Sequence, residues 1–258
     1  MAGTKSPVAI LDLLWDIDNS QREIEWEKDQ DKKFSNLMII NDRLFNVVSK
    51  VGYKAAMGVA VTLTELIHLR SKRFYKIFDA TQEFTPKIES LWAAIIDPLY
   101  LKSFRFDYKY RDENGCSTPY LPNWYVMRYM AGDYSEGLFK IHTYLKNLSM
   151  LMRHLTPNKK LFDKWFAETI RKTAEVFPCP YDYDDLWNRD VRNPSYDCSA
   201  DAPIPREFFF DPEFQYSEEA TKPFLNAFLQ SLDYSNNPWL CTPEEMMAKG
   251  FKGTPYKI

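Results

Sequence analysis

The sequence predicts a mainly α protein, an antiparallel helical bundle with one short β-hairpin and an irregular C-terminal segment rich in proline and aromatic residues. Three observations predict it. Apolar residues recur at steps of three and four over most of the first 176 residues, capping residues stand at the ends of those runs, and ten of the sixteen prolines fall after Phe177. Residues 1–176 are therefore expected to form the bundle. Residues 177–258 are expected to form an acidic, aromatic segment with short helices, packed on the bundle as part of one structural unit.

The elements follow in order. Ser6-Pro7 reads as an N-cap with proline at the first helical position, opening a helix that carries Leu11, Leu14, Trp15 and Ile17 and fades into the charged run Glu23 to Lys33. A longer helix is expected from Leu37 to about Lys72, with Leu37, Ile40, Leu44, Val47, Val51, Ala55, Gly58, Thr62, Leu66 and Leu69 on one stripe. Gly52 and Gly58 lie inside it. Each costs about 1 kcal/mol relative to alanine in a helix, so close approach of a neighbouring helix is the expected compensation. Thr85-Pro86 opens a third helix (Ile88, Leu91, Trp92, Ile95), interrupted near Asp97-Pro98.

Between 103 and 120 the period changes to two. Phe104, Phe106, Tyr108 and Tyr110 alternate with Arg105, Asp107 and Lys109, and Asn114-Gly115 follows as a turn dipeptide, so a hairpin is expected. Its aromatic face would pack on the bundle. Asp133-x-x-Glu136 fits a capping box before the stripe Leu138, Ile141, Leu145, Leu148, Met152, Leu155. Thr156-Pro157 then ends that helix and caps another with Phe162, Trp165, Phe166, Ile170 and Ala174; so short a loop makes the two antiparallel. Beyond Phe177, short helices are expected over Ser217–Leu232 and Thr242–Lys249. The second has Thr242 as cap, Pro243 at the first position, Glu245 completing a capping box and Gly250-Phe251 as a stop.

Composition limits the function classes. Hydrophobic residues at 45% and charged residues at 27% suit a globular chain of 258 residues, while aromatics at 16% point to a heavily packed core or an interface. From Phe177 onward fourteen acidic residues meet seven basic ones, a net of −7, leaving +4 before it. An acidic third argues against nucleic acid as its partner and suits a basic protein. Ala55 to Leu63, the most apolar uncharged stretch, is about half of the roughly 20 residues that span a bilayer, so no membrane partner is expected. Met1 to Ser6 carry no apolar run of a secretory leader, and the expected location is cytoplasmic.

No catalytic, cofactor or metal residues are assigned. Cys116, Cys179, Cys198 and Cys241 form no Cys-x-x-Cys pair. Glu65-x-x-His68 has metal-ligand spacing on a helix, but a di-iron bundle needs a second copy of the motif, which the sequence lacks. His142 and His154 are more than three turns apart on one helix. Neither a nucleophile elbow nor a phosphate-binding glycine loop can be written from the eight glycines. Paired carboxylates are plentiful but nonspecific.

The candidate binding residues are Tyr181, Asp182, Tyr183, Asp184, Asp185, Trp187 and Asp190, where rigid rings provide contact area and aspartates steer a basic partner. The plainer alternative has the rings anchoring the loop and the aspartates solvated. Phe208-Phe209-Phe210 cannot all point inward from one strand, so at least one ring is expected to cover another element or a partner, burial under the C-terminal tail being the commoner outcome.

The tail Asn237-Pro238-Trp239-Leu240-Cys241-Thr242-Pro243-Glu244-Glu245-Met246, with Gly250-Phe251-Lys252-Gly253-Thr254-Pro255-Tyr256, resembles the C-terminus of helical immunity proteins. These are encoded beside bacterial polymorphic toxins and type VI secretion effectors. The resemblance spans about twenty residues and assigns no toxin-binding residue. It implies a cytosolic antitoxin that docks on a cognate toxin and occludes its active site without chemistry of its own. Two other classes stand beside it: a helical-bundle enzyme whose acid/base residues meet only in three dimensions, and a homodimer or larger scaffold built on apolar stripes.

Overall fold

Helix α3 (Tyr53–Phe74) is the axis of the bundle, its uncharged run from Ala55 to Leu63 covering more than two turns. Every residue from Tyr53 to His68 is buried, Lys54 and Glu65 included. The computed structural model describes residues 26–74, 80–102, 119–135, 140–180 and 201–258. Around α3 stand α1 (Lys28–Ser35), α2 (Asp42–Val48), α4 (Ala80–Ile96), α5 (Tyr120–Ser135), α6 (Ile141–Leu155) and α7 (Lys159–Val176). Helices α8 (Glu207–Phe210), α9 (Glu218–Ser231) and α10 (Pro243–Ala248) complete the ten found among the described residues. α3 touches α4, α5, α6, α7 and α8, most extensively α6. The protein is mainly α, as the periodicity predicts.

Several expected boundaries move. The helix expected from Leu37 to Lys72 is broken in two: Asn41 caps α2 by accepting the Leu44 N–H at 3.2 Å, and the chain leaves helix again at Ser49 before Gly52. Gly52 therefore lies at the break. Its N–H donates to Phe177 O at 2.8 Å, and an added Cβ would sit 3.2 Å from both the Phe177 and Pro178 carbonyl oxygens. Ile40, assigned to the buried stripe, is 85% exposed. The charged run at Lys28–Ser35 is helical, with Trp26 Nε1 donating to Asp31 at 2.8 Å and stacking on Phe34.

α4 begins at Ala80 rather than at Pro86, which lies within it, while Asp97 caps the 3₁₀ turn Pro98–Tyr100 by accepting the Leu99 N–H at 2.8 Å. The helix expected to start at Asp133 does not, because α5 runs through that residue. Asp133 sits in the last turn of α5 and accepts the Tyr144 hydroxyl, and α6 starts after Lys140. Asn158, not Thr156, caps α7, accepting the Leu161 N–H at 3.1 Å; the Thr156 hydroxyl turns back to Met152 O. Helix α5 has no counterpart in the sequence reading, since its apolar residues surround the helix and make no stripe.

The expected hairpin lies at residues 103–118 outside the described residues, apart from its end, where Tyr120 opens α5. The helix expected at Ser6 to Ile17 also lies outside them, as do Glu136 and Leu138. Among the described residues, β pairing is confined to two isolated bridges, Val51 with Pro178 and Leu101 with Leu240. No described helix is long and apolar enough to cross a membrane.

The C-terminal third carries a second, smaller core. Leu225, Leu229 and Leu232 of the α9 region join Leu240, Cys241, Met246 and Tyr256 against Ala93, Ile96 and Tyr100. Local chemistry sets its helices. Ser217 Oγ accepts the Ala220 N–H, Thr242 and Glu245 form a reciprocal capping box, and α10 ends in a left-handed Gly250 with φ +86°. There Gly250 N–H donates to Met247 O and Phe251 N–H to Met246 O, the two bonds of a Schellman stop.

Candidate functional site, an acidic and aromatic ridge

The residues after Ile204 place three rings and five carboxylates on one rigid feature. Phe208, Phe209 and Phe210 are all buried against other elements, as expected, but from a helical turn and not from a strand. The segment is a single helical turn, which fans successive side chains about 100° apart, and it lies between the bundle and the 214–216 segment. Phe209 seats on Gly58, where an added Cβ would lie only 2.1 Å from the ring tip. So the close approach anticipated from Gly58 is real, and its partner is an aromatic ring. Phe209 and Phe210 pack on Trp92, with centroids 5.7 and 5.9 Å apart, while Phe208 meets Phe177 and Tyr216.

Two cations hold this turn. Arg206 forms an ion pair with Glu65, which also accepts Trp92 Nε1–H at 3.0 Å. Burial raises the Glu65 pKa, and the Arg206 charge opposes that rise. Lys172 of α7 reaches the other end, donating to Asp211 O at 3.0 Å and Phe208 O at 3.3 Å and standing 4.7 Å from the Phe208 ring centre. A cation over terminal helical carbonyls is favourable. Burial lowers the Lys172 pKa, with Asp211 and Glu213 acting against the shift.

From Glu207 to Glu219 the chain carries Glu207, Asp211, Glu213, Glu218 and Glu219 and no base. Glu213, Glu218 and Glu219 are exposed; Glu207 and Asp211 are half-buried. Between this ridge and α7 opens a groove of about 350 Å³, with Phe208 and Phe210 at its floor and Trp165, Thr169, Gln215 and Tyr216 on its walls. Its α7 rim bears Arg171, which is engaged by Glu168 at 3.2 Å and Glu175 at 2.6 Å. The arrangement suits binding: an apolar floor for contact area and, on the segment that walls it, exposed Glu213, Glu218 and Glu219 for steering.

The sequence-derived binding residues Tyr181, Asp182, Tyr183, Asp184, Asp185, Trp187 and Asp190 lie outside the described residues, as do Cys116 and Cys198. Glu65 and His68 part company: Glu65 turns to Arg206 and Trp92, whereas His68 stacks flat on Phe84 at 5.2 Å. His142 is fully buried with Nε2–H donating to Val51 O at 2.7 Å, and His154 packs between Trp26 and Phe34. Among the described residues no three metal-ligating side chains cluster. The ridge itself was missed, although a thirteen-residue run with five acids and no base was there to be seen.

The tail from Asn237 to Tyr256 acts as a clasp. Asn237 Nδ2 donates to Pro86 O at 2.8 Å, Cys241 N–H to Tyr100 O at 2.8 Å, and the Tyr256 hydroxyl to Cys241 O at 2.6 Å. Those residues tie the tail to α4 and to the 3₁₀ turn that follows it, and are spent on the fold. Compared with protein-family models, with curated proteins and with solved structures, the chain matches none.

Proposed function

We propose that this chain is an immunity protein, a stoichiometric inhibitor that docks on a cognate basic toxin in the cytoplasm and occludes it. One observation carries the reading: the 207–219 segment, with five acids and no base, walls an open aromatic groove, while Arg206 is drawn onto Glu65 and Lys172 onto backbone carbonyls. A rigid acidic surface of this kind speeds encounter with a basic protein and rejects acidic ones. The tail resemblance supports the same class.

The test is co-expression with the product of a neighbouring toxin gene, followed by titration of the purified pair. Growth is rescued and the complex is 1:1. Replacing Glu213, Glu218 and Glu219 by lysine weakens binding at low salt by about 100-fold while the melting temperature holds. Asp182→Lys with Asp185→Lys probes the aromatic run in the same assay. Rescue and affinity untouched by both sets of substitutions would remove the acidic third as the docking surface, and no binding at all would remove the immunity function.

A further inference from the structure

On the opposite side of the charge balance, the loop 36–41 presents two large apolar side chains to solvent. Met38 is 84% and Ile40 85% exposed, well above the other large hydrophobic residues among those described. A single exposed hydrophobe needs no explanation. This pair is different, because the backbone that presents it is pinned from α6. Buried Lys146 donates its ammonium to Ile39 O at 2.5 Å, buried Asn147 donates to Asn36 O at 2.9 Å, and the Asn36 side chain accepts the Met38 N–H at 3.0 Å. Leu37 and Ile39 are half-buried while Met38 and Ile40 alternate outward. Burying a lysine and an asparagine costs free energy, and here it fixes an apolar knuckle in advance of contact, which lowers the entropy lost on binding.

We propose that this knuckle docks on a second copy of the chain, with Met38 and Ile40 seated in that copy's groove between α7 and the 207–219 ridge. Charge selects this occupant. From Glu27 to Lys50 five exposed bases (Lys28, Lys32, Lys33, Arg43, Lys50) outnumber three exposed acids (Glu27, Asp29, Asp42). The ridge offers five acids and no base, and the whole chain divides in the same sense, +4 before Phe177 and −7 from it onward. The two bases that line the groove are drawn elsewhere, Arg171 onto Glu168 and Glu175 and Lys172 onto backbone carbonyls. A groove of about 350 Å³ with a phenylalanine floor has room for aliphatic side chains. The two surfaces differ, so the contact is heterologous: it closes as a pair where each knuckle reaches the other's groove, and otherwise extends with concentration. Toxin and second copy would then compete for one ridge.

Sedimentation velocity of the full chain alone tests this, so a negative result stands apart from the toxin reading. Expected is a mass that rises above 30.5 kDa with concentration up to about 100 µM and falls towards monomer in about 0.5 M salt. Met38→Ser with Ile40→Ser weakens association at least about tenfold, as does Glu213→Lys with Glu218→Lys. Mixing that ridge variant with a Lys32→Glu, Lys33→Glu protein restores association, which misfolding cannot imitate. A monomer at every concentration, or association indifferent to either pair of substitutions, overturns the proposal and leaves the knuckle to a different protein or to another segment of the chain.

Discussion

Helix α3 and the C-terminal third reach order by opposite routes. From Tyr53 to His68 α3 is buried at every position, and what specifies it is packing against five other helices. Residues 217–256 are organised by hydrogen bonds within a few residues, side chain to backbone at Ser217 and at Thr242 with Glu245, and backbone to backbone at Gly250. Short helices are marginal alone, and local caps make up part of that deficit. A region organised by packing fails when its volume changes; one organised by caps fails when a hydrogen bond is removed.

The largest expected effect is at the joint between the two, where Phe209 rests on Gly58. Phe209→Ala should cost about 3–5 kcal/mol, as for other buried aromatic truncations. Gly58→Ala alone forces the ring aside and should cost about 1–2 kcal/mol despite the better helix propensity of alanine. In the Phe209→Ala background the sign reverses: the added methyl enters vacated space, and Gly58→Ala becomes neutral or stabilising by up to about 1 kcal/mol. Urea unfolding of the four proteins measures the cycle. Simple additivity would show that the ring is not what the glycine accommodates.

That joint also marks how far the sequence could be read. The amphipathic helices α6 and α7 were legible because Leu145, Leu148, Met152, Phe162, Phe166 and Ile170 keep a helical step and are all buried. α10 was legible to its last bond. By contrast α5 and the break at Gly52 were not: an all-round apolar helix has no stripe, and the stripe from Leu37 to Leu69 runs unbroken through a turn. Asn36, Asn41 and Gly52 were the turn signals, outweighed by periodicity. Of the candidate site, its acidity and its rings were visible. The pairing of Arg206 with Glu65, 141 residues apart, was not, since no local pattern encodes it.

A second way to break the comparison is to protonate the bundle. Burial lowers the His142 pKa to about 4 from an ordinary 6.5, with the Val51 carbonyl acting weakly the other way. The unfolded chain therefore binds a proton near pH 6.5 that the folded chain refuses until about pH 4. Stability from this group is complete above pH 6.5, declines through that interval, and is flat below it; the total is about 3 kcal/mol. Comparing urea midpoints at several pH values should show the decline. His142→Gln, which can keep the donor to Val51 without titrating, should remove its share of the slope whatever it costs at neutral pH. A slope unchanged by that substitution would move the effect to other groups.

The smallest effect is the most discriminating. Thr242→Ala removes the bond to the Glu245 N–H and leaves every packed residue of the bundle in place. It should cost about 1 kcal/mol, and hydrogen exchange can say where. If the C-terminal core opens as its own unit, exchange quickens at Met246, Lys249, Gly250 and Phe251, whose N–H groups close the α10 turn, while α3 amides keep their protection. Uniform loss of protection, α3 included, would instead mean that clasp and bundle unfold together. The tail residues Asn237, Cys241 and Tyr256 would then be part of what holds α4, and through it the ridge, in register. A local loss would make the clasp a unit that opens without repacking the bundle.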